Sequence, residues 1–282
     1  MRWQDLRRSG NVEDRRGMSG GGKVAIGGLG VVIVVVLGLL TGQDPAQIME
    51  NLQSTQGVEQ VQNGPAGPRA DDKTADFITA VLGSTEDVWD QIYAENDAQY
   101  QKPTLQIFEN ATQGACGGAS AAMGPFYCPA DAKVYIDLSF CNELRDKFKA
   151  PGEFAVAYVV AHEVGHHVQN LMGITEQVQQ QRRRLSEAEY NKLSVKLELQ
   201  ADFLAGVWAN RAHRMSNILE PGDLEAALTA ANAIGDDKLQ KQSQGYVVPD
   251  AFTHGSSQQR MYWFKKGYET GDLNQGKFND IR

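Results

Sequence analysis

The chain has 282 residues, with 27 lysines and arginines against 35 aspartates and glutamates, a formal net charge of −8 at pH 7. With no basic stripe beyond the first 23 residues, that balance excludes a nucleic-acid-binding role. No internal repeat is visible.

Residues 1–23 carry Arg2, Arg7, Arg8, Arg15, Arg16 and Lys23 and read as a basic tail. Residues 24–41 follow as an uncharged apolar run, long enough to cross a bilayer, with Gln43 and Asp44 beyond it. The positive-inside rule predicts a single-pass anchor with a cytoplasmic N-terminus and the rest of the chain exported. The long basic region and the lack of an A-x-A site argue against a cleaved signal peptide. Residues 42–73, which include GPAGPRADD near their end, read as a flexible linker, and 74–282 as one domain with a sizeable core.

Within that domain the first helix is expected over 75–93, then short strands at 104–108 and 133–137. Between the strands lies GACGGASAAMGPFYCP. In an exported domain Cys116 and Cys128 are expected to pair and staple this glycine-rich loop, because no C-x-x-C element favours thiolate metal binding. Cys141 is left as a buried free thiol, at the start of a helix over 139–148.

The next helix is expected over 154–172, within the stretch EFAVAYVVAHEVGHHVQNLM of residues 153–172, with Pro151-Gly152 before it and Gly173 after. Phe154, Tyr158, His162 and His166 fall on one i, i+4 stripe, so both imidazoles can reach one ion. Glu163, rotated by about 100°, can take a proton from an attacking water beside that ion. The pattern His162-Glu163-x-x-His166 is that of zinc metallopeptidases, so Zn2+ is the expected cofactor. The plainer alternative, a core helix with hydrogen-bonded histidines, is weakened by the position of both histidines on the buried stripe. His167 is rotated off the ligand face and is expected to hydrogen-bond elsewhere.

A helix over 174–184 precedes a longer one over 186–213 that opens on a Ser186-x-x-Glu189 capping box. Beside its apolar stripe (Leu193, Leu197, Ala201, Leu204, Trp208) stand Glu198 and Asp202, four apart. Glu198 is expected as the third zinc ligand, and Asp202 as the acceptor that fixes a ligating histidine. His213 reads as a surface residue. A helix over 222–235, a strand-like Tyr246–Val248 and a helix over 257–270 complete the chain.

The blocks MRWQDLRRSGNVEDRRG, GPFYCPADAKVYIDLSF, AHEVGHHVQN, LELQADFLAGVWA and FTHGSSQQRMYWFKKGYETGD together resemble the bacterial family of putative neutral zinc metallopeptidases, almost from end to end. The resemblance implies a membrane-anchored zinc peptidase with ligands His162, His166 and Glu198 and with Glu163 as catalyst; with the topology above, the expected location is the bacterial inner membrane, the catalytic domain periplasmic or otherwise extracytoplasmic. Thr253-His254-Gly255 with Arg260 is similar to the T-H-x5-R block of membrane gluzincins, which makes this segment, His254 first, the candidate donor to an oxyanion.

The expected fold is therefore a mainly helical α+β, gluzincin-like domain with a small sheet, preceded by one transmembrane helix through 24–41. A substrate-pairing edge strand is expected at Tyr135 or in the neighbouring loop. The expected activity is that of an endopeptidase acting on peptides or unfolded protein. A non-catalytic zinc-stabilised interaction module and a zinc amidase acting on cell-wall peptides are the alternatives.

Overall fold

Helix α3, Glu153–Leu171, is buried on every side: from Phe154 to Gln169 only His166 is partly exposed. Such a helix needs neighbours all round. In the computed structural model, which describes residues 1–17, 72–150 and 152–282, they come from across the chain. Helices α1 (Asp72–Ala94), α5 (Glu187–Ser216) and α6 (Asp223–Ala233) pack directly on it. Helix α8 (Ser257–Thr270) lies along α5, where Gly206 and Gly267 let the two backbones touch. The short helices α2 (Ser139–Asp146), α4 (Ile174–Gln181) and α7 (Asp236–Gln244) complete the helical set among the described residues.

A four-stranded sheet in the order β1-β2-β6-β5 covers one flank. Strands β1 (Val12–Asp14), β2 (Thr104–Phe108) and β6 (Lys133–Asp137) are parallel, and β5 (Phe126–Cys128) runs antiparallel to β6 at the edge. Leu105, Ile107, Val134 and Ile136 enter the main core, while Phe108, Tyr135 and Cys128 form a small cluster with Phe126. A separate hairpin, β3 (Ala111–Gly114) with β4 (Gly117–Ser120), is tied to β5 by the Cys116–Cys128 disulfide.

The structure is mainly helical with a small sheet, but it overturns the expected single-pass anchor. Among the described residues no helix is long and apolar enough to cross a membrane. The run 24–41 and the linker up to residue 71 lie outside the described residues. More decisively, residues 1–16 form one compact unit with 70–282. Trp3 is 3% exposed, packs edge-on to Phe77 and donates from Nε1 to Glu153 at 2.9 Å. Buried Glu86 accepts from Arg7, Ser9 and Asn11 at 2.6–2.7 Å. The chain leaves after Arg16 and returns at Asp72, and those two side chains are 3.2 Å apart. One crossing between them would put Trp3 and Glu153 on opposite sides of a bilayer, which their hydrogen bond forbids. The N-terminal arginines that read as a cytoplasmic tail are ion-pairing residues of the domain, and the inner-membrane, periplasmic assignment falls with the tail.

Smaller differences follow from short or glycine-rich segments. Tyr246–Val248 is exposed and belongs to no strand. Helix α7 is too polar to show apolar periodicity in the sequence. Of the two places expected for an edge strand, Tyr135 lies on interior strand β6, whereas the neighbouring segment that reads as loop holds edge strand β5.

Candidate active site

Three local features bring α3 and α5 together. The Ser186–Glu189 capping box closes and starts α5. Gly152, at φ 109°, starts α3 from a conformation that suits glycine. At their crossing, a Cβ on Gly165 would stand 3.0 Å from the Ala201 carbonyl oxygen, so only glycine permits this approach without adjustment.

The crossing places Glu198 against both histidines of α3. His162 Nε2 is 3.2 Å from Glu198 Oε2, and His166 Nε2 is 3.4 Å from Oε1. The three side chains can offer ligand atoms within 4.8 Å of one another. Among the described residues, no fourth His, Cys, Asp or Glu joins this group.

The outer nitrogens are held by acceptors. His162 Nδ1 lies 2.8 Å from Asp202 Oδ1, and His166 Nδ1 lies 2.9 Å from Gln169 Oε1. Each ring therefore carries hydrogen on Nδ1 and turns Nε2 inward. Burial by itself lowers the pKa of His162, yet Asp202 and Glu198 outweigh it and raise it to about 10. His166 is raised in the same way by Glu198. Burial pushes the Glu198 carboxyl up, but the two imidazoles hold it well below its ordinary value. Two imidazole nitrogens and a carboxylate thus converge on a point that demands positive charge. A zinc ion meets that demand with a donor set it favours, so the residues fit the metal.

Asp202, fully buried, takes four hydrogen bonds. Besides His162, Tyr158 Oη donates to Oδ1 at 2.6 Å, and Arg260 donates to Oδ2 and Oδ1 at 2.8 and 3.0 Å. The third guanidinium nitrogen of Arg260 meets the Ile234 carbonyl at 3.5 Å. Expected as part of an oxyanion donor, Arg260 instead has every nitrogen engaged with protein and is 3% exposed.

Glu163 is 7% exposed, and it lines a cleft of about 600 Å³ together with His162, His166 and Glu198. Burial raises its carboxyl above the ordinary value, against the pull of the two imidazoles. That is the direction a general base requires. Phe126 and Tyr127 of β5 form one wall of the cleft. His254 also lines it, 51% exposed, with Nδ1 3.2 Å from Asp236 Oδ1.

Asp236 and Gln169 escaped the sequence reading. A Gln three residues after a histidine is an unremarkable helix pair, and Asp236 lies 18 residues before His254. Elsewhere, His167 meets Tyr127 Oη at 2.9 Å and donates to the Gln101 carbonyl at 2.6 Å, outside the ligand set. His213 is partly buried and accepts the Leu219 amide at 3.2 Å, so it is not a free surface residue. Cys141 is a free thiol, half-buried rather than buried.

The family model described as "Putative neutral zinc metallopeptidase" matches residues 1–278. The chain is 48% identical over 281 residues to "Uncharacterized protein YpfJ" of Escherichia coli K12, with 96% of each chain covered. It is 41% identical over 207 residues to "Uncharacterized protein Rv2575" of Mycobacterium tuberculosis H37Rv, covering 70% of this chain and 68% of that one. No solved structure matches it. The match to the family model spans both the N-terminal segment that packs on α3 and the His162–His166–Glu198 group, and the chain belongs to this family of putative neutral zinc metallopeptidases.

Proposed function

We propose that the chain is a zinc-dependent endopeptidase acting on extended or unfolded protein segments. The observation that carries this reading is a ligand set opening on a cleft: three protein ligands among the described residues, not four, with a buried carboxyl beside them whose pKa is raised. A structural zinc site closes its four positions with protein and needs no base.

His162, His166 and Glu198 would hold the zinc, which when bound supplies Lewis-acid polarisation of the scissile carbonyl and a more acidic water. Glu163 takes the proton of the attacking water and returns it to the departing amine. His254, which also lines the cleft and is held by Asp236, donates to the oxyanion. Strand β5, last in the sheet order among the described residues, with Phe126 and Tyr127 on the cleft wall, would offer backbone groups to an extended peptide.

The test uses the full zinc-loaded chain against Glu163→Gln, each incubated with reduced, alkylated casein and read by mass spectrometry of new N-termini. The expected result is cleavage by the unmodified chain, about 10²–10⁴-fold slower in the variant, with equal zinc content. Equal rates in both, or no cleavage by either with zinc bound, would overturn the reading.

A further inference from the structure

Behind His166 lies a line of buried amides. Gln169 is 0% exposed and Gln200 2%. Two backbone carbonyls, which can only accept, fix how both amides are turned. Gln169 Nε2 donates to the Leu197 carbonyl at 2.8 Å, and Gln200 Nε2 donates to the Gly276 carbonyl at 3.0 Å. Each NH2 is thereby located, and each Oε1 occupies the other position. Gln200 Oε1 receives the second hydrogen of Gln169 Nε2 at 3.0 Å. Gln169 Oε1 remains as an acceptor, 2.9 Å from His166 Nδ1.

We infer that Gln169 is a positioning residue for the metal: its amide oxygen keeps the hydrogen of His166 on Nδ1 and so presents Nε2 to the ion. The inference rests on the zinc reading and extends it. The two ligating histidines are oriented by different chemistry, His162 by the Asp202 carboxylate and His166 by a neutral amide. Charge explains the difference. Glu163, Glu198 and Asp202 already set three carboxyl groups around the two rings, and a fourth carboxylate at position 169, which is 0% exposed, would add a further buried charge, which is costly. The amide supplies the acceptor without the charge. Its orientation is anchored through Gln200 to the C-terminal turn Leu273–Gly276, so that turn braces a ligand on a helix it follows by more than a hundred residues.

The experiment uses the full chain with 15N-labelled histidine. NMR reports the His166 tautomer and the exchange protection of its Nδ1–H in the zinc-loaded protein, and chelator competition gives the zinc affinity. Gln169→Met, close in volume but without the acceptor, is expected to lose the protected Nδ1–H and to bind zinc about 10–100-fold more weakly, with a cooperative melt retained. Gln169→Glu, which restores an acceptor but loses both Nε2 donations and adds a buried charge, is expected to recover the Nδ1–H tautomer without recovering wild-type stability. Wild-type affinity and tautomer in Gln169→Met would overturn the inference. His166→Ala separates this from failure of the metal reading. If that variant keeps wild-type zinc affinity, His166 is not a ligand; if it loses zinc while Gln169→Met does not, only the role of Gln169 fails. If Gln169→Met does not fold, Gln200→Met carries the same readouts, because without Gln200 Oε1 the Gln169 amide loses part of its anchor.

Discussion

Asp236 holds His254 at two points: its Oδ2 accepts the His254 backbone N–H at 2.6 Å, and its Oδ1 lies 3.2 Å from the ring Nδ1. The same Oδ2 accepts the amides of Thr253 and Gly255 at 2.7 and 3.1 Å, so one carboxylate shapes the loop and orients the imidazole. The hydrogen bond to Asp236 is the main cause of the raised His254 pKa, so its charged form persists above the ordinary histidine range. A raised value means that the contribution of charged His254 is present at lower pH and is lost as pH rises through that value. His254→Ala is therefore expected to lower kcat about 10²–10³-fold with zinc content unchanged. Asp236→Asn is expected to move the alkaline limb of the kcat profile to lower pH. An unshifted limb together with an unchanged kcat in His254→Ala would remove His254 from the reaction.

Gly165 governs the distance between ligands on different helices. A Cβ there would meet Ala201 at its carbonyl oxygen, Cα and Cβ at 3.0, 3.1 and 3.4 Å, and Ala201 is three residues from Glu198. Gly165→Val must push α5 away from α3, carrying Glu198 from His162 and His166. The expected cost is about 1–3 kcal/mol in denaturant unfolding. Zinc affinity should fall with it, whereas an overpacked contact remote from the ligands would leave affinity intact.

These relations show what a sequence can reveal. Contacts set by one helix's periodicity, such as His162 with His166, follow from spacing alone. Glu198 and Asp202 are legible because their spacing on a second helix leaves few faces for them. Contacts that depend on how loops close are hidden: nothing in the local pattern pairs Asp236 with His254, or Gln169 with a tautomer. The N-terminal segment misled for a different reason. Arg7, Arg8 and Arg16 before an apolar run satisfy a topology rule, and the carboxylates they actually meet, Glu86, Asp76 and Asp72, are distant in sequence. Strand β5 was missed because three residues between a glycine-rich loop and a proline carry no periodic signal.

Trp3 tests the corrected organisation. Its buried ring packs on Phe77, and its indole N–H bonds Glu153 in the first turn of α3, nine residues before His162. Trp3→Ala is expected to destabilise the whole domain by about 3–5 kcal/mol in urea unfolding. A chain beginning at residue 72 should lose β1, the Glu86 cluster and this anchor together, and should melt without a cooperative transition. Unchanged stability in both would show residues 1–16 to be dispensable.

The Asp202–Arg260 pair separates holding the fold from holding the metal. Both groups are buried and doubly bonded to each other, so Arg260→Met alone leaves a buried carboxylate without its cation, a cost of about 3–5 kcal/mol. Burial pushes Asp202 up, but Arg260 and His162 hold it below its ordinary value. Its contribution is therefore present above the ordinary aspartate range and is lost as pH falls through the lowered value. The double variant Asp202→Leu with Arg260→Met removes both charges, and an apolar replacement of a buried pair is often neutral, so much of the stability should return. Zinc affinity should not return, because His162 Nδ1 has lost its acceptor and the ring is free to turn. Recovery of stability at pH 7 with zinc binding still about 10–100-fold weaker is the expected pattern, measured by denaturant unfolding and chelator competition on the same samples. If zinc affinity recovered along with stability, Asp202 would be a packing partner of Arg260 and no more.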